Sequence, residues 1–449
     1  MNDMWLTWKT EDVRTEARQA EDEGRDLSPV RDEIAALTSA DSDNTPDFKH
    51  RFHRLLDRIR ELPVLPDYPY TEPSRLEEIR RERPDGPRRF KLTEDDAALF
   101  DRIHGAWLGR CAGCLLGKPV EGVRTPELHQ LIRSSGHDFL TDYIWRLGPD
   151  EEACRAAERP GLLDYWPRIE HMPADDDINY TLLGMCLIRD KGPEFTPSDI
   201  AQYWMLKMPL LAACTAERRA YRNFADQIDP PESAVFRNPY REWIGAQIRA
   251  DFFGYTSLGR PELAAELAWR DARISHIKNG IYGAMWTAAM LAAAPVIHDP
   301  RRLIETGLSE VPEKSRFTEG IRDVLSRYDS GTDYTSACRL IHEQWDEYDS
   351  HHWCHTVSNA QIVAMALLWG EGDFERAVTR SVWPGFDTDC NGATVGSIMG
   401  MILGARGLPE KWTAVMNDTV HSLIAGYHVS SISGTAGEMF KLFAKHRLI

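Results

Sequence analysis

Along most of the chain apolar residues recur at the three- and four-residue spacing of a helix. Few stretches alternate with the period of two that a half-buried strand requires. Helical periodicity runs through residues 262–276, 281–294, 335–347, 358–369 and 374–382, which predicts an all-α protein with little strand. Two further segments carry glycine where a helix usually avoids it. Gly105, Gly109, Gly113 and Gly117 repeat at every fourth position, and so do Gly392, Gly396, Gly400 and Gly404. Each costs about 1 kcal/mol relative to alanine inside a helix, so a stripe of them on one helix face needs a compensating contact. The two stripes predict two helices packed backbone against backbone in the middle of the body.

The first 62 residues are more polar, with helical periodicity starting near Thr10 and again over 48–62. Pro63, Pro66, Pro69, Pro73, Pro84 and Pro87 follow. Proline removes a backbone donor and clashes inside a helix, so 63–87 is expected to form an extended strap. Tyr68 and Tyr70 on that strap are candidates to cover a cleft. Residues 1–92 therefore read as an accessory layer of helices and strap, and 93–449 as the globular helical body. The basic stretch from Arg80 to Arg89 reads as a solvated linker rather than a binding patch.

A formal net charge of −17 over 449 residues argues against a nucleic-acid partner, because phosphate binding needs clustered Lys and Arg. The eight cysteines are scattered. Cys111 and Cys114 form one C-x-x-C inside the first glycine ladder, where packing is a better account than zinc or redox chemistry, since a zinc site needs a second pair. The longest apolar runs, 284–297 and 392–405, are too short to span a bilayer. Met1-Asn2-Asp3-Met4-Trp5 leads straight into charged residues rather than a signal peptide. A cytoplasmic protein with reduced thiols and no membrane partner is expected.

The candidate chemistry lies in two acidic clusters at predicted helix starts, Asp175-Asp176-Asp177 and Asp387-Thr388-Asp389-Cys390-Asn391. Carboxylates gathered in this way bind hard cations such as magnesium, which prefer oxygen ligands. The competing account is plain N-capping, worth a few tenths to about 1 kcal/mol per charge. His351, His352 and His355 beside Trp353 suggest transition-metal ligands, but a loop leading into the next helix is the preferred reading.

Three segments together resemble the ADP-ribosylglycohydrolase family. These are His104-Gly105-Ala106-Trp107-Leu108-Gly109 with Gly117-Lys118-Pro119-Val120-Glu121, then Asp175 to Leu182, then Asp387 to Asn391 with the glycine-rich helix and Leu408-Pro409-Glu410-Lys411-Trp412. The resemblance covers roughly residues 100–415. It implies an all-α bundle around a dinuclear magnesium site, with manganese as an alternative, and hydrolysis of an N- or O-glycosidic bond at ribose C1. The metal ligands it implies are Asp175, Asp176, Asp177, Asp387, Asp389 and Cys390, with Asp177 and Asp387 positioning water and Glu121 as acid–base or gate. Gly245, Arg249, His276, Asn359 and Phe386 are the implied substrate contacts.

Several positions depart from the family pattern. Asp175 and Cys390 stand where threonine is usual, Ile244 replaces an asparagine, Phe252 a proline and Phe386 a second glycine. Sulfur suits magnesium poorly, and the bulk of Phe386 would narrow the pocket or offer a flat face to a base. These changes point to a small ribosylated metabolite over an ADP-ribosylated protein as substrate. The alternative is a catalytically inactive relative that binds ADP-ribose or serves structure.

Overall fold

The computed structural model describes residues 5–39, 43–162 and 169–447. The chain opens with α1 (Thr10–Asp22), α2 (Arg31–Thr38) and α3 (Pro46–Glu61). These enclose a small apolar core of their own, with Trp8, Val13, Leu37, Phe48, Phe52 and Leu55 in it. One face of α1 is unusual in burying acids: Asp12, Glu16 and Glu23 are all under a tenth exposed. Each finds a partner in a single stretch of the body. Tyr240 bonds to Asp12, Arg241 reaches Glu16 at 2.8 Å and Glu23 at 2.7 Å, and Gln19 donates to Glu242 at 2.8 Å. Arg241→Ala would strand the buried Glu16 carboxylate and leave Glu23 to Arg25 and Lys278 at 3.5 and 3.4 Å, so we expect a loss of about 3–5 kcal/mol, read from denaturant unfolding.

The strap is extended except for α4 (Leu76–Glu82), a short helix that Pro73 and Pro84 bracket without entering. Arg81 and Arg89 are exposed as expected, but three other arginines of the strap are held by the body. Arg83 pairs with Glu262 and Glu310 at 2.5 Å, Arg88 with Glu310 at 2.9 Å, and Arg80 with Glu266 at 2.8 Å. Because Glu310 is fully buried, two guanidiniums are needed to hold its charge in place. Tyr68 is likewise committed elsewhere, its single O–H shared between the Asp22 carbonyl and Glu72, each at 2.9 Å.

In the body, α5 (Asp96–Gly117) is the central helix. It is followed in order by α6 (Asp176–Lys191), α7 (Pro261–Ala272), α8 (Lys278–Ala293), α9 (Thr356–Gly370), α10 (Phe374–Val382), α11 (Thr388–Leu403) and α12 (Ile432–His446). The two glycine ladders meet as anticipated. A Cβ placed on Gly109 would strike the Gly396 carbonyl, one on Gly113 that of Gly392, and one on Gly105 that of Gly400, all closer than the 3.0 Å that real Cβ atoms keep. Helices α5 and α11 are therefore antiparallel and in backbone contact, with the C-terminus of α5 beside the N-terminus of α11. Strand content among the described residues is one antiparallel pair, Thr419–His421 with Val429–Ser431. No described helix is long and apolar enough to cross a membrane.

Candidate metal centre

The acids come together where three chain ends meet: the end of α5, the start of α6 and the start of α11. Asp175 is the N-cap of α6, its Oδ1 accepting from the Asp177 backbone N–H at 2.9 Å. Its other oxygen takes Lys118 Nζ at 2.5 Å. The capping account thus holds for Asp175. It fails for Asp387, the residue before α11, whose side chain makes no capping bond and is left for other work.

Ligand oxygens of Asp175, Asp176, Asp177 and Asp389 lie within 4.8 Å of one another, as do those of Glu121, Asp387 and Asp389. Asp389 belongs to both groups. Buried oxygens Asp177 Oδ2 and Asp389 Oδ1 have no hydrogen-bond partner. An unpaired buried carboxylate oxygen costs several kcal/mol, so these atoms fit a bound cation, and the all-carboxylate set fits a hard divalent one. Cys390 Sγ sits within the same 4.8 Å of Asp177 and Asp389, and Cys114 Sγ of Asp175 and Asp177. Both thiols are pushed up, chiefly by burial and then by the neighbouring aspartates. They remain protonated and are poor partners for such an ion.

Burial and mutual repulsion push Asp176, Asp177, Asp387 and Asp389 well above the ordinary carboxylate range. For Asp175 burial acts upward too, but Lys118 and the capping bond outweigh it and its carboxyl ends up lowered. Glu121 stands at the mouth, exposed to solvent along its side chain while its carboxyl faces the cluster. Burial first, then Asp176 and Asp175, push it up to about 7.

Two supports lie outside the acidic motifs. Arg110, fully buried in the glycine helix, donates to the Asp177 carbonyl at 3.0 and 2.9 Å and to Asp177 Oδ1 at 2.9 Å, and pairs with Asp251 at 3.0 Å. An arginine among small apolar residues is itself a signal that sequence reasoning missed, because burying it demands acids nearby. Lys118 is the second, and its ammonium is what keeps Asp175 ionised.

The cavity over the cluster has a volume of about 290 Å³, and its wall includes Lys118, Glu121, Asp175, Asp176, Gly245, Asp387, Asp389 and Cys390. Of the implied substrate contacts only Gly245 reaches this wall. Arg249 is buried behind it, paired with Glu217 at 2.8 Å and with Asp271, and bonded to Ser275 at 2.8 Å. His276 is fully buried, its Nδ1 2.8 Å from Ser275 Oγ. Asn359 instead positions the acids: its Oδ1 accepts from the Asp387 N–H at 3.2 Å and from Asn391 at 2.8 Å. Phe386 points away into the core against His342, with ring centroids 5.1 Å apart. It holds φ +59°, after Gly385 at +72°, a left-handed turn that glycine adopts more readily. Asp177 is fully buried and does not line the cavity. Tyr68 and Tyr70 do not line it; Trp5 and Trp353 do.

The histidines form a separate arrangement. His351 Nδ1 accepts from Trp243 Nε1 at 3.0 Å, and His355 Nδ1 from the Val357 N–H at 3.1 Å. His351 Nε2 lies 3.0 Å from Asp22 Oδ2, a hydrogen bond, whereas His355 Nε2 is 3.8 Å away and has no hydrogen-bond partner among the described residues. His351 is thereby committed to Asp22 and Trp243.

Among solved structures, one described as an "ADP-ribosylglycohydrolase-related protein complex" superposes with a TM-score of 0.45 at 19% identity, covering 78% of this chain and 99% of its own. No curated protein matches the chain. The family model for ADP-ribosylglycohydrolase matches residues 95–446, a span that contains every acid of the cluster and leaves out α1 to α4. The chain belongs to the ADP-ribosylglycohydrolase family.

Proposed function

We propose that the chain hydrolyses the glycosidic bond at C1 of a ribose, with two divalent cations, magnesium or manganese, held by Asp176, Asp177, Asp387 and Asp389. The observation that carries this reading is the sharing of Asp389 between two groups of carboxylate oxygens, which suits a pair of ions with a common ligand. When bound, the ions would neutralise the acids and activate water and the ribose hydroxyls electrostatically. Arg110 fixes Asp177, and Asn359 fixes the turn at Asp387, so the acids are oriented before substrate arrives.

Glu121 is the proton donor. Its carboxyl lies within 4.8 Å of Asp387 and Asp389 at the cavity wall, and burial is the largest cause raising its pKa in the cation-free protein, which suits a general acid. As the bond from C1 breaks, its electron pair stays on the departing atom, which takes the Glu121 proton. Water adds its oxygen to C1 and returns a proton to Glu121. Asp387 is the acid at the cavity wall best placed to orient that water. The substrate is a small ribosylated compound rather than an ADP-ribosylated protein, since Trp5 and Trp353 wall the small cavity.

The test is ribose release from a panel of ribosylated compounds with magnesium, and with chelator. Glu121→Gln should lower kcat by about 10²-fold or more while magnesium still raises the melting temperature. Full turnover in chelator, or in this variant, sinks the reading.

Magnesium binding has its own pH signature. A carboxyl raised in the folded state favours folding below its ordinary pKa, and that advantage is lost as pH rises through the folded value. For Glu121 the window runs from its ordinary 4.5 to about 7, and the four raised aspartates act in the same direction. The cation-free protein therefore loses stability across this window, and cations restore it. The magnesium-induced rise in melting temperature should be larger at pH 7.5 than at pH 5; a constant rise would contradict the cluster electrostatics.

A further inference from the structure

Beside the acidic cavity lies a groove of about 320 Å³ that shares two of its walls, Trp5 and Trp353. Its far side comes from the N-terminal layer, through Thr7, Lys9 and Thr15, and its floor includes Gly122 and Arg124. The family match begins only at residue 95, so the far side of this groove comes from residues outside that match. Trp5 is held in place by Arg218, whose guanidinium carbon lies 5.0 Å from the indole centroid. Arg124 packs on Trp353 at 5.6 Å.

The position of the groove carries chemical information. Gly122 follows Glu121, so the groove opens on the side of the cavity where the proton donor stands. A general acid must sit beside the atom that leaves, and the departing group therefore extends into this groove. The charges there are uneven. Glu11 is paired with Arg14 at 3.0 Å, and Asp12 is occupied by Tyr240 and the Lys9 N–H. Lys9 and Arg124 form no ion pair among the described residues, and Arg218 stands behind Trp5. A guanidinium or ammonium leaving group would meet the Lys9 and Arg124 cations, whereas an uncharged ring would meet indole faces suited to stacking.

We propose that this groove is the leaving-group subsite and that it takes an uncharged heteroaromatic ring stacked on Trp5 and Trp353, which makes the substrate an N-riboside of such a base. The proposal rests on the glycohydrolase reading above and narrows it.

Three probes separate the two: inosine, methyl riboside and an ADP-ribosylated-arginine peptide, each given to the full chain with magnesium. Inosine should be cleaved with the highest kcat/KM. Trp5→Ala and Trp353→Ala should each raise the KM for inosine about ten-fold or more, with kcat changed less than about three-fold, and Trp5→Phe should restore it. The ratio of inosine to methyl riboside KM should move by the same factor, which a general loss of structure would not produce. An unchanged magnesium-induced melting shift in the variants confirms that the metal centre is intact. Unaltered inosine KM in both alanine variants, or preferred cleavage of the arginine peptide, overturns the subsite while leaving the glycohydrolase reading in place. Cleavage of none of the three overturns both.

Discussion

Asp389→Ala is expected to lower kcat/KM on the order of 10²-fold or more and, in the cation-free protein, to raise stability. The two effects have one origin. Asp389 contributes to both oxygen groups of the cluster, and its Oδ1 is buried without a partner. Burial, Glu121 and Asp175 already work against its ionised form. Removing it relieves a like-charge contact and an unsatisfied buried oxygen, worth about 1–3 kcal/mol, while removing the ligand that joins the two positions. A structural carboxylate would behave in the opposite way, losing stability with little change in rate. Melting with chelator and with magnesium separates the cases: the variant should melt above the parent in chelator and gain little from magnesium. A variant that melts below the parent in chelator and retains its turnover would show that Asp389 is structural.

Gly396→Ala is expected to destabilise the protein by about 1–3 kcal/mol, although alanine improves the helix itself by about 1 kcal/mol. The new methyl would strike the Gly109 carbonyl, which is backbone and cannot rotate aside. Gly437 gives the matched control, since it lies in α12 and a Cβ added there would meet nothing within 4 Å. At that position alanine should stabilise by about 0.4–1 kcal/mol. Opposite signs for the same substitution, read from denaturant unfolding, would establish the backbone contact; equal signs would remove it.

Much of this architecture can be read from the sequence because it repeats. The glycine ladders declare their contact through a four-residue period, and apolar periodicity places α7 to α10 to within a few residues of their observed ends. The acidic clusters are legible for a related reason: like charges at two helix starts demand an explanation wherever they lie. What could not be read depends on pairings distant in the chain. Arg83 and Arg88 resemble a solvated basic stretch until Glu310, more than two hundred residues away, is found fully buried between them. Arg249 and His276 have the residue types of a ligand site, yet Glu217, Asp271 and Ser275 absorb them. Trp5 carries no local signal of any kind. It enters the cavity wall only because α1 docks its acids on residues 240–242, immediately before the segment that lines the site.

The periodicity that makes the central contact visible also makes it ambiguous. If α11 slid by one turn against α5 so that Gly392 faced Gly117, four glycine pairs would replace the three observed, and the packing alone would scarcely object. Such a slip moves Asp389 about 5.4 Å along the axis and takes it away from Asp175 to Asp177. Correct alignment therefore has to be set by contacts that do not repeat. Thr388 Oγ1 donates to the Gly117 carbonyl at 2.9 Å, and at the other end Arg102 donates to the Met401 carbonyl at 3.1 Å. These act as the two pegs of a vernier whose scale is glycine. A chain that closes one notch out of step would be compact, helical and inert, so the refolding of this protein is a search for alignment as much as for shape.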